Sequence, residues 1–326
     1  VKVAVTGGSG VVGGALLDRA VARGHDVKAL ARSPEAEAKV EQRGAEPVLG
    51  HVLDVDALQR LVAGADWVFH VAGVNEMCSR DPDAMDRVNV VGTRNMVEAC
   101  QVAGVGRLVH TSSAVAIGES HGSVGSEETP HRGWYLSRYE RSKHLSEEVA
   151  LAAGAGLEVV VVCPSSVQGP GRATGTGKLI LDVLRGKLPF LVDTTVSVVD
   201  IDDCAEGHLL AAEAGESGRR YLLNGASLRI DEAIDLITGV TGIEIARHHL
   251  PGSVVSALAW LVDGGARLVG RGSPLCPEMA RVLRHGHRYD GSRATRELGL
   301  SYRPIEDTIR RTVEWFRSEG LLDAPG

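Results

Sequence analysis

Tyr139 and Lys143 stand four residues apart in the stretch Tyr139-Glu140-Arg141-Ser142-Lys143. On a helix both side chains leave one face, a turn apart. The surroundings favour a helix, with Glu140, Arg141, Lys143, Leu145, Glu147, Glu148 and Ala150 and neither Pro nor Gly before Gly154. A free phenol, with a pKa of about 10, is a poor acid–base group near neutrality. An ammonium held beside it favours the phenolate and brings the group toward useful acidity. A solvated helical face carrying one Tyr and one Lys has the same spacing, so the chemistry rests on what precedes it.

The apolar run Val1 to Val5 ends in Thr6-Gly7-Gly8-Ser9-Gly10-Val11-Val12-Gly13-Gly14, and Ala15 to Ala22 continue as a helix closed by Gly24. Gly7 permits a tight turn, Gly10 lets the backbone approach a pyrophosphate, and Gly13 lets the helix pack closely on the strand. Ser9, Val11 and Val12 complete the turn, where free N–H groups and the positive dipole end meet the phosphates. The spacing is G-x-x-G-x-x-G, one residue longer in its first gap than G-x-G-x-x-G. The second strand, Asp26 to Ala31, ends at Arg32-Ser33. Dinucleotide folds place there either a carboxylate for the ribose hydroxyls or an Arg for a 2′-phosphate. Arg32 predicts NADP(H) over NAD(H), against the alternative of a solvated loop charge.

The elements that must position these groups alternate. A helix follows Pro34, then a strand at Glu46 to Gly50 and a helix from Asp54 or Asp56 to Val62. A strand at Asp66 to Gly73 precedes a long helix from about Pro82 to Ala103, and strands follow at Arg107 to Thr111 and Gly156 to Cys163. Apolar strands separated by helices imply an α/β fold, a doubly wound parallel sheet covered on both faces. Ligands bind such sheets at the carboxyl ends of the strands. The glycine turn, Arg32, His51-Val52, Val71-Ala72-Gly73 and Ser112-Ser113 all lie there. The loop Gly169 to Gly177 lacks G-x-x-x-x-G-K-[ST], because Leu179 follows Lys178, and reads as a substrate-side loop. Val196 to Asp200 is expected to return to the sheet, with another short strand at 219–223. From Leu250 the chain should be mainly helical, ending in an amphipathic helix from Pro304 to Phe316.

At 326 residues the chain can form one large α/β domain or two unequal lobes. A net charge of −7 and the lack of a Lys/Arg run argue against nucleic acid or an anionic membrane surface as partner. The apolar segment Val254 to Val262, stopped by Asp263, is too short for the roughly 20 residues of a membrane span. It reads as a buried or substrate-lining helix. The opening on an apolar strand reads as a start without a signal peptide. Five scattered cysteines without CxxC spacing read as reduced, mostly buried thiols in a cytoplasm. The close histidine pairs, His248-His249 and His285/His287, read as surface or packing residues, and no metal is expected.

With Ser113, Tyr139 and Lys143 following the glycine turn, the chain resembles the extended short-chain dehydrogenase/reductases of the NAD-dependent epimerase/dehydratase type. The likeness spans essentially the whole chain. It includes His70 to Gly73, Asn89 to Asn95, Thr111 to Ala114, Pro164 to Pro170 and Val199 to His208. Within that family it is most similar to hopanoid-associated sugar epimerase-like and dihydroflavonol reductase-like proteins. The resemblance implies a Rossmann domain over 1–165, with a return strand near 196–213, and a smaller, mainly helical substrate lobe over most of 166–326. It implies Tyr139 as the acid–base group on the substrate oxygen, Lys143 on the nicotinamide ribose, and Ser113, rather than Ser112, bonded to the same oxygen. Pro164, Ser165 and Ser166 would line the nicotinamide amide, and Asn89 would secure the long helix or a proton path. Many relatives have Asp at the position of His51; here either His51 stacks on the adenine or the Val52 N–H serves instead.

The leading expectation is an NADP-dependent carbonyl reductase or alcohol dehydrogenase. The alternative is a nucleotide-sugar 4-epimerase or dehydratase with retained NAD(P), and a third reading is a redox-sensing NADP-binding module without turnover. Arg32 suggests an exchangeable NADP(H). The stretch Cys163 to Pro170 lacks the Arg and Asn of the R-x-x-N-V-x-G-P pattern common in sugar-nucleotide members. Retention of Tyr139 argues against the sensor. The substrate is a small molecule in a pocket built from Asn75 to Arg80, Ala114 to Ile117, Trp134 and Gly171 to Gly177. A homodimer is expected through the helices bearing Asn89 and Tyr139.

Overall fold

The computed structural model describes residues 1–79, 81, 83–188, 190–245 and 247–322, so Arg80 and Pro82 lie outside the described residues. The first half alternates as β1 (Lys2–Thr6), α1 (Val11–Ala22), β2 (Asp26–Ala31), α2 (Pro34–Glu41), β3 (Glu46–Leu49), α3 (Val55–Val62) and β4 (Trp67–His70). A π-helical turn (Asp86–Val91) leads into α4 (Gly92–Ala103), followed by β5 (Arg107–Thr111), a 3-10 turn (Ala114–Ile117), α5 (Arg138–Leu151) and β6 (Glu158–Pro164). The second half runs β7 (Ser166–Gln168), α6 (Thr176–Leu184), β8 (Leu191–Val192), β9 (Thr195–Asp200), α7 (Ile201–Ala214), β10 (Arg220–Leu223) and β11 (Ala226–Arg229). It closes with α8 (Ile230–Thr241), β12 (His249–Leu250), α9 (Gly252–Leu268), α10 (Pro277–His285), α11 (Ser292–Leu298) and α12 (Ile305–Ser318).

Seven parallel strands form the main sheet in the order β10-β6-β5-β4-β1-β2-β3. The winding reverses between β1 and β4, which opens a crevice at their carboxyl ends. Alternate strand residues feed two cores. Val3, Val5, Phe69, Val109, Val160 and Val162 pack on Leu16, Leu17 and Leu209 from α1 and α7. Ala4, Val68, Leu108, Val159 and Val161 face the other way, onto Leu58, Leu61, Met96 and Cys100 of α3 and α4. Burial on both faces explains why these strands read as continuous apolar runs.

The segment expected to return near 196 does not join this sheet. β9 pairs with β7 and β11 in a separate three-stranded sheet, and the strand that completes the large one is β10. The intervening α7 packs beside α1, where Arg19 and Arg23 reach Glu206. A third core joins Leu181, Ile237, Val313 and Phe316 from α6, α8 and α12.

Two further expectations are corrected. The apolar segment 254–262 lies within α9, but only Val255, Ala259 and Asp263 of that helix are buried, while Trp260 and Leu261 are 69% and 73% exposed. One i, i+4, i+8 stripe meets α10 and the remaining face does not. Cys78 and Cys276 are joined in a disulfide, with Cα atoms 5.7 Å apart across 198 residues of sequence. Cys100, Cys163 and Cys204 are free and buried, as expected. With one pair bonded, cysteine usage no longer argues for a reducing compartment. Among the described residues no helix is long and apolar enough to cross a membrane.

Candidate active site

The glycine turn has the shape the sequence requires. Gly7 adopts φ +77°, and a Cβ there would come within 2.8 Å of the Ala72 nitrogen. A Cβ on Gly13 would stand 2.1 Å from the Gly7 oxygen, so only glycine fits the helix this close to the turn. The Gly10 N–H donates to that oxygen at 2.9 Å. α1 begins at Val11 and Val12 after Ser9-Gly10, with no side-chain cap and no acidic residue in its first turn. Its leading N–H groups are left for an anion. Arg32 is exposed at the end of β2, and among the described residues its guanidinium has no partner. Ser33 instead caps α2, accepting from the Ala36 N–H at 3.3 Å. The glycine turn and the free start of α1 fit a dinucleotide phosphate chain.

Around the ribose end, His51 accepts from the Leu53 N–H at 3.2 Å through Nδ1, which holds its ring against the turn. Val52 is buried against Gly92, so its route to a nucleotide is its backbone. Beyond β4, the Ala72 N–H donates to Thr6 Oγ1 at 3.1 Å, which fixes Val71-Ala72-Gly73 beside the glycine turn. Asn89 resolves into a clamp: its Oδ1 accepts from the Val74 N–H at 2.7 Å, and its Nδ2 donates to the Val74 carbonyl and to Ser142 Oγ. One side chain thereby joins the loop after β4 to α5.

Tyr139 and Lys143 lie on α5, which Ser137 caps by accepting from the Glu140 N–H at 3.0 Å. Lys143 is buried and donates from Nζ to the Thr111 carbonyl at 2.9 Å, and a Cβ on Gly73 would come within 3.0 Å of the same nitrogen. It therefore bridges the ends of β4 and β5, and burial lowers its pKa to about 8. Burial raises the Tyr139 phenol above its ordinary range, while the Ser113 hydroxyl and the Arg172 guanidinium act in the opposite direction. Ser112 is turned away: its N–H donates to the Val162 carbonyl and its hydroxyl faces the Cys163 thiol. Of the two serines, it is the Ser113 hydroxyl, the one chosen from sequence, that reaches Tyr139. At the end of β6, the Ser165 N–H is taken by the Leu223 carbonyl and its buried hydroxyl has no partner. Ser166 donates to Thr176 Oγ1 at 2.9 Å, which commits its hydroxyl to the protein.

Sequence reasoning missed two groups here. Arg172, from the glycine-rich loop, enters beside Tyr139; its buried Nε has no partner, and it forms no ion pair among the described residues. It was legible only as part of that loop. The second is a row of buried histidines beneath the site. His70 lies between Thr6 and Thr93, His110 stacks on His70 at 5.6 Å, and His208 meets Thr111 Oγ1 at 2.9 Å. The signal was a histidine inside an apolar strand just before each of the two motif loops. Trp134 is 53% exposed, with the Arg132 guanidinium over its ring.

A doubly wound sheet with a glycine turn at its first strand–helix junction, and a tyrosine and lysine one turn apart over the crevice, defines a class of nicotinamide-nucleotide enzymes. Residues 3–223 match the model of the NAD dependent epimerase/dehydratase family. The chain belongs to that family, among the extended short-chain dehydrogenase/reductases, and is an NAD(P)-dependent enzyme of CH–OH/C=O chemistry. It is 31% identical to a putative dihydroflavonol 4-reductase of Synechocystis over 98% of this chain and 95% of that one. It is 32% identical to a 2-alkyl-3-oxoalkanoate reductase of Stenotrophomonas maltophilia over 95% and 98%. The crystal structure of gox2253 superposes with a TM-score of 0.86 at 31% identity over 99% of both chains. A nucleoside-diphosphate-sugar epimerase from Pseudomonas aeruginosa gives 0.80 at 26% identity, again over 99% of both.

Proposed function

We propose that this protein is an NADP-dependent carbonyl reductase or alcohol dehydrogenase. The observation that carries the reading is the setting of the Tyr139 phenol, hydrogen-bonded to the Ser113 hydroxyl and facing the charge of Arg172, which forms no ion pair among the described residues. The bound nicotinamide supplies or accepts hydride. Tyr139 Oη holds the proton exchanged with the substrate oxygen, and Ser113 donates to that oxygen and orients it. Lys143, anchored on Thr111, holds the ribose side of the site. The Arg172 charge favours the phenolate form. Ser165, with its unpartnered hydroxyl, is the better placed of the two serines for the nicotinamide amide. Relatives named as reductases, alike over nearly their whole length, support exchangeable cofactor and net turnover. Likeness to a named nucleoside-diphosphate-sugar epimerase supports the second reading, epimerisation with retained cofactor.

Absorbance assays of NADPH oxidation against a panel of ketones, β-keto acids and nucleotide sugars separate the two. The expected result is net NADPH consumption with a carbonyl; conversion of a nucleotide sugar with no net change in NADPH overturns it. Arg32→Ala is expected to weaken NADPH binding by about 10–100-fold, the size of a charged hydrogen bond, and to leave NADH unchanged. Titration of both cofactors by fluorescence checks this, and equal losses for the two would remove Arg32 from the ribose phosphate. A homodimer through α4 and α5 belongs to the same reading, and a monomeric mass in solution would exclude it.

A further inference from the structure

Glu119 follows the 3-10 turn after Ser113, and its carboxylate is 1% exposed. Across from it stand His285, at the end of α10, and His287, with side chains 4% and 14% exposed. Glu119 Oε1 lies 2.7 Å from His287 Nδ1 and 3.4 Å from His285 Nε2. Among the described residues, Glu119 Oε2, His285 Nε2 and His287 Nε2 are buried without a hydrogen-bond partner. One ligand atom from each of the three side chains lies within 4.8 Å of the others. The Tyr289 hydroxyl is 2.9 Å from His287 Nδ1.

A buried carboxylate needs compensating charge. The nearby Arg132 does not supply it: one terminal nitrogen donates to the Glu119 backbone carbonyl and the other pairs with Glu140. The two imidazoles both face Oε1 and leave Oε2 without a partner among the described residues. A divalent cation supplies the charge and occupies the open lone pairs together. Two imidazole nitrogens and a carboxylate oxygen suit zinc, whereas calcium and magnesium favour all-oxygen sets. Tetrahedral zinc with bonds of about 2.0–2.1 Å spaces its ligand atoms roughly 3.3 Å apart. Glu119 Oε1 stands 3.4 Å from His285 Nε2, close to that value, and 2.7 Å from His287 Nδ1, a hydrogen-bond distance that must lengthen when an ion enters.

We propose that Glu119, His285 and His287 form a zinc site, with the Tyr289 hydroxyl or a water as the fourth ligand. This reverses the expectation from sequence that these histidines only pack and that no metal binds. The ion joins the segment leaving the Ser113 strand end to the C-terminal lobe. The same two segments already meet through the backbone, where the Gly125 N–H donates to the Arg288 carbonyl at 2.8 Å and the Asp290 N–H donates to the Gly125 carbonyl at 2.9 Å. The site stabilises the seating of that lobe and is separate from the hydride chemistry.

The test uses tag-free full-length protein loaded with zinc chloride, passed over a desalting column with a weak chelator, and measured by elemental analysis. Wild type should retain about one zinc per chain, and zinc should raise its melting temperature. Glu119→Gln and His287→Gln should each weaken zinc binding about 100-fold or more. His249→Gln, which alters the exposed His249–Asp193–Asp231 cluster, should keep zinc as wild type does. Should the first two variants fold poorly, cobalt-loaded wild type provides the second measurement, through the strong visible bands of a tetrahedral ion. Wild type that retains no zinc, zinc lost from the His249 variant instead, or cobalt without those bands would each overturn the site.

Discussion

Tyr139→Phe is expected to lower kcat for carbonyl reduction by about 10²–10⁴-fold, the range for removing a positioned acid–base group. NADPH affinity should change little, because the ring stays and the glycine turn, Arg32 and Lys143 are untouched. Burial alone would make the phenol a poorer acid than in water, since it disfavours the phenolate. The Ser113 hydroxyl and the Arg172 guanidinium offset part of that penalty. Arg172→Met should therefore move the tyrosine-dependent limb of the pH–rate profile toward higher pH while Tyr139 remains in place. Lys143 works differently. Its Nζ is bound to the Thr111 carbonyl beside Gly73, at the end of β5. Lys143→Met should accordingly raise the KM for NADPH as well as lower kcat. Single-turnover stopped-flow with NADPH checks the Tyr139 variant, and a hydride-transfer rate within tenfold of wild type would remove Tyr139 from the chemistry.

The second large effect is acid lability. Burial, aided by the Lys143 charge, lowers the His70 pKa to about 3, and burial lowers that of His208 to about 4. Burial, His70 and Lys143 together hold His110 well below its ordinary range. In the unfolded chain each titrates near 6.5. Between about pH 6.5 and 4 the unfolded state thus binds three protons that the native state excludes, so this contribution is present above pH 6.5 and is lost as pH falls. Glu140 acts in the opposite sense. Burial, opposed by Arg132, raises its pKa to about 7, so over much of the same range the native state holds a proton that the unfolded state releases. From these four groups the uptake on unfolding is about two protons, which corresponds to a stability loss of roughly 3 kcal/mol per pH unit between pH 6 and 5. Urea denaturation at pH 7, 6 and 5 measures it. His70→Asn should reduce the slope by about 1.4 kcal/mol per unit, and a flat profile in wild type would mean these rings are hydrated or protonated in the native protein.

The sequence determined what depends on neighbours a few residues apart. The glycine turn was legible because Gly7 must take positive φ and Gly13 has no room for a Cβ. The parallel sheet was legible because strands buried on both faces have to be apolar throughout. The pairing of Tyr139 with Lys143 needed only one turn of helix. Tertiary structure alone decided the rest: the union of Cys78 with Cys276, the meeting of Glu119 with His285 and His287, the approach of Arg172 to Tyr139, and the placement of β9 outside the main sheet. The exposed face of α9 belongs with these. An apolar or ionisable side chain carries no mark of the distant segment that will cover or neutralise it, and burial, charge compensation and bonding are fixed only when that segment arrives.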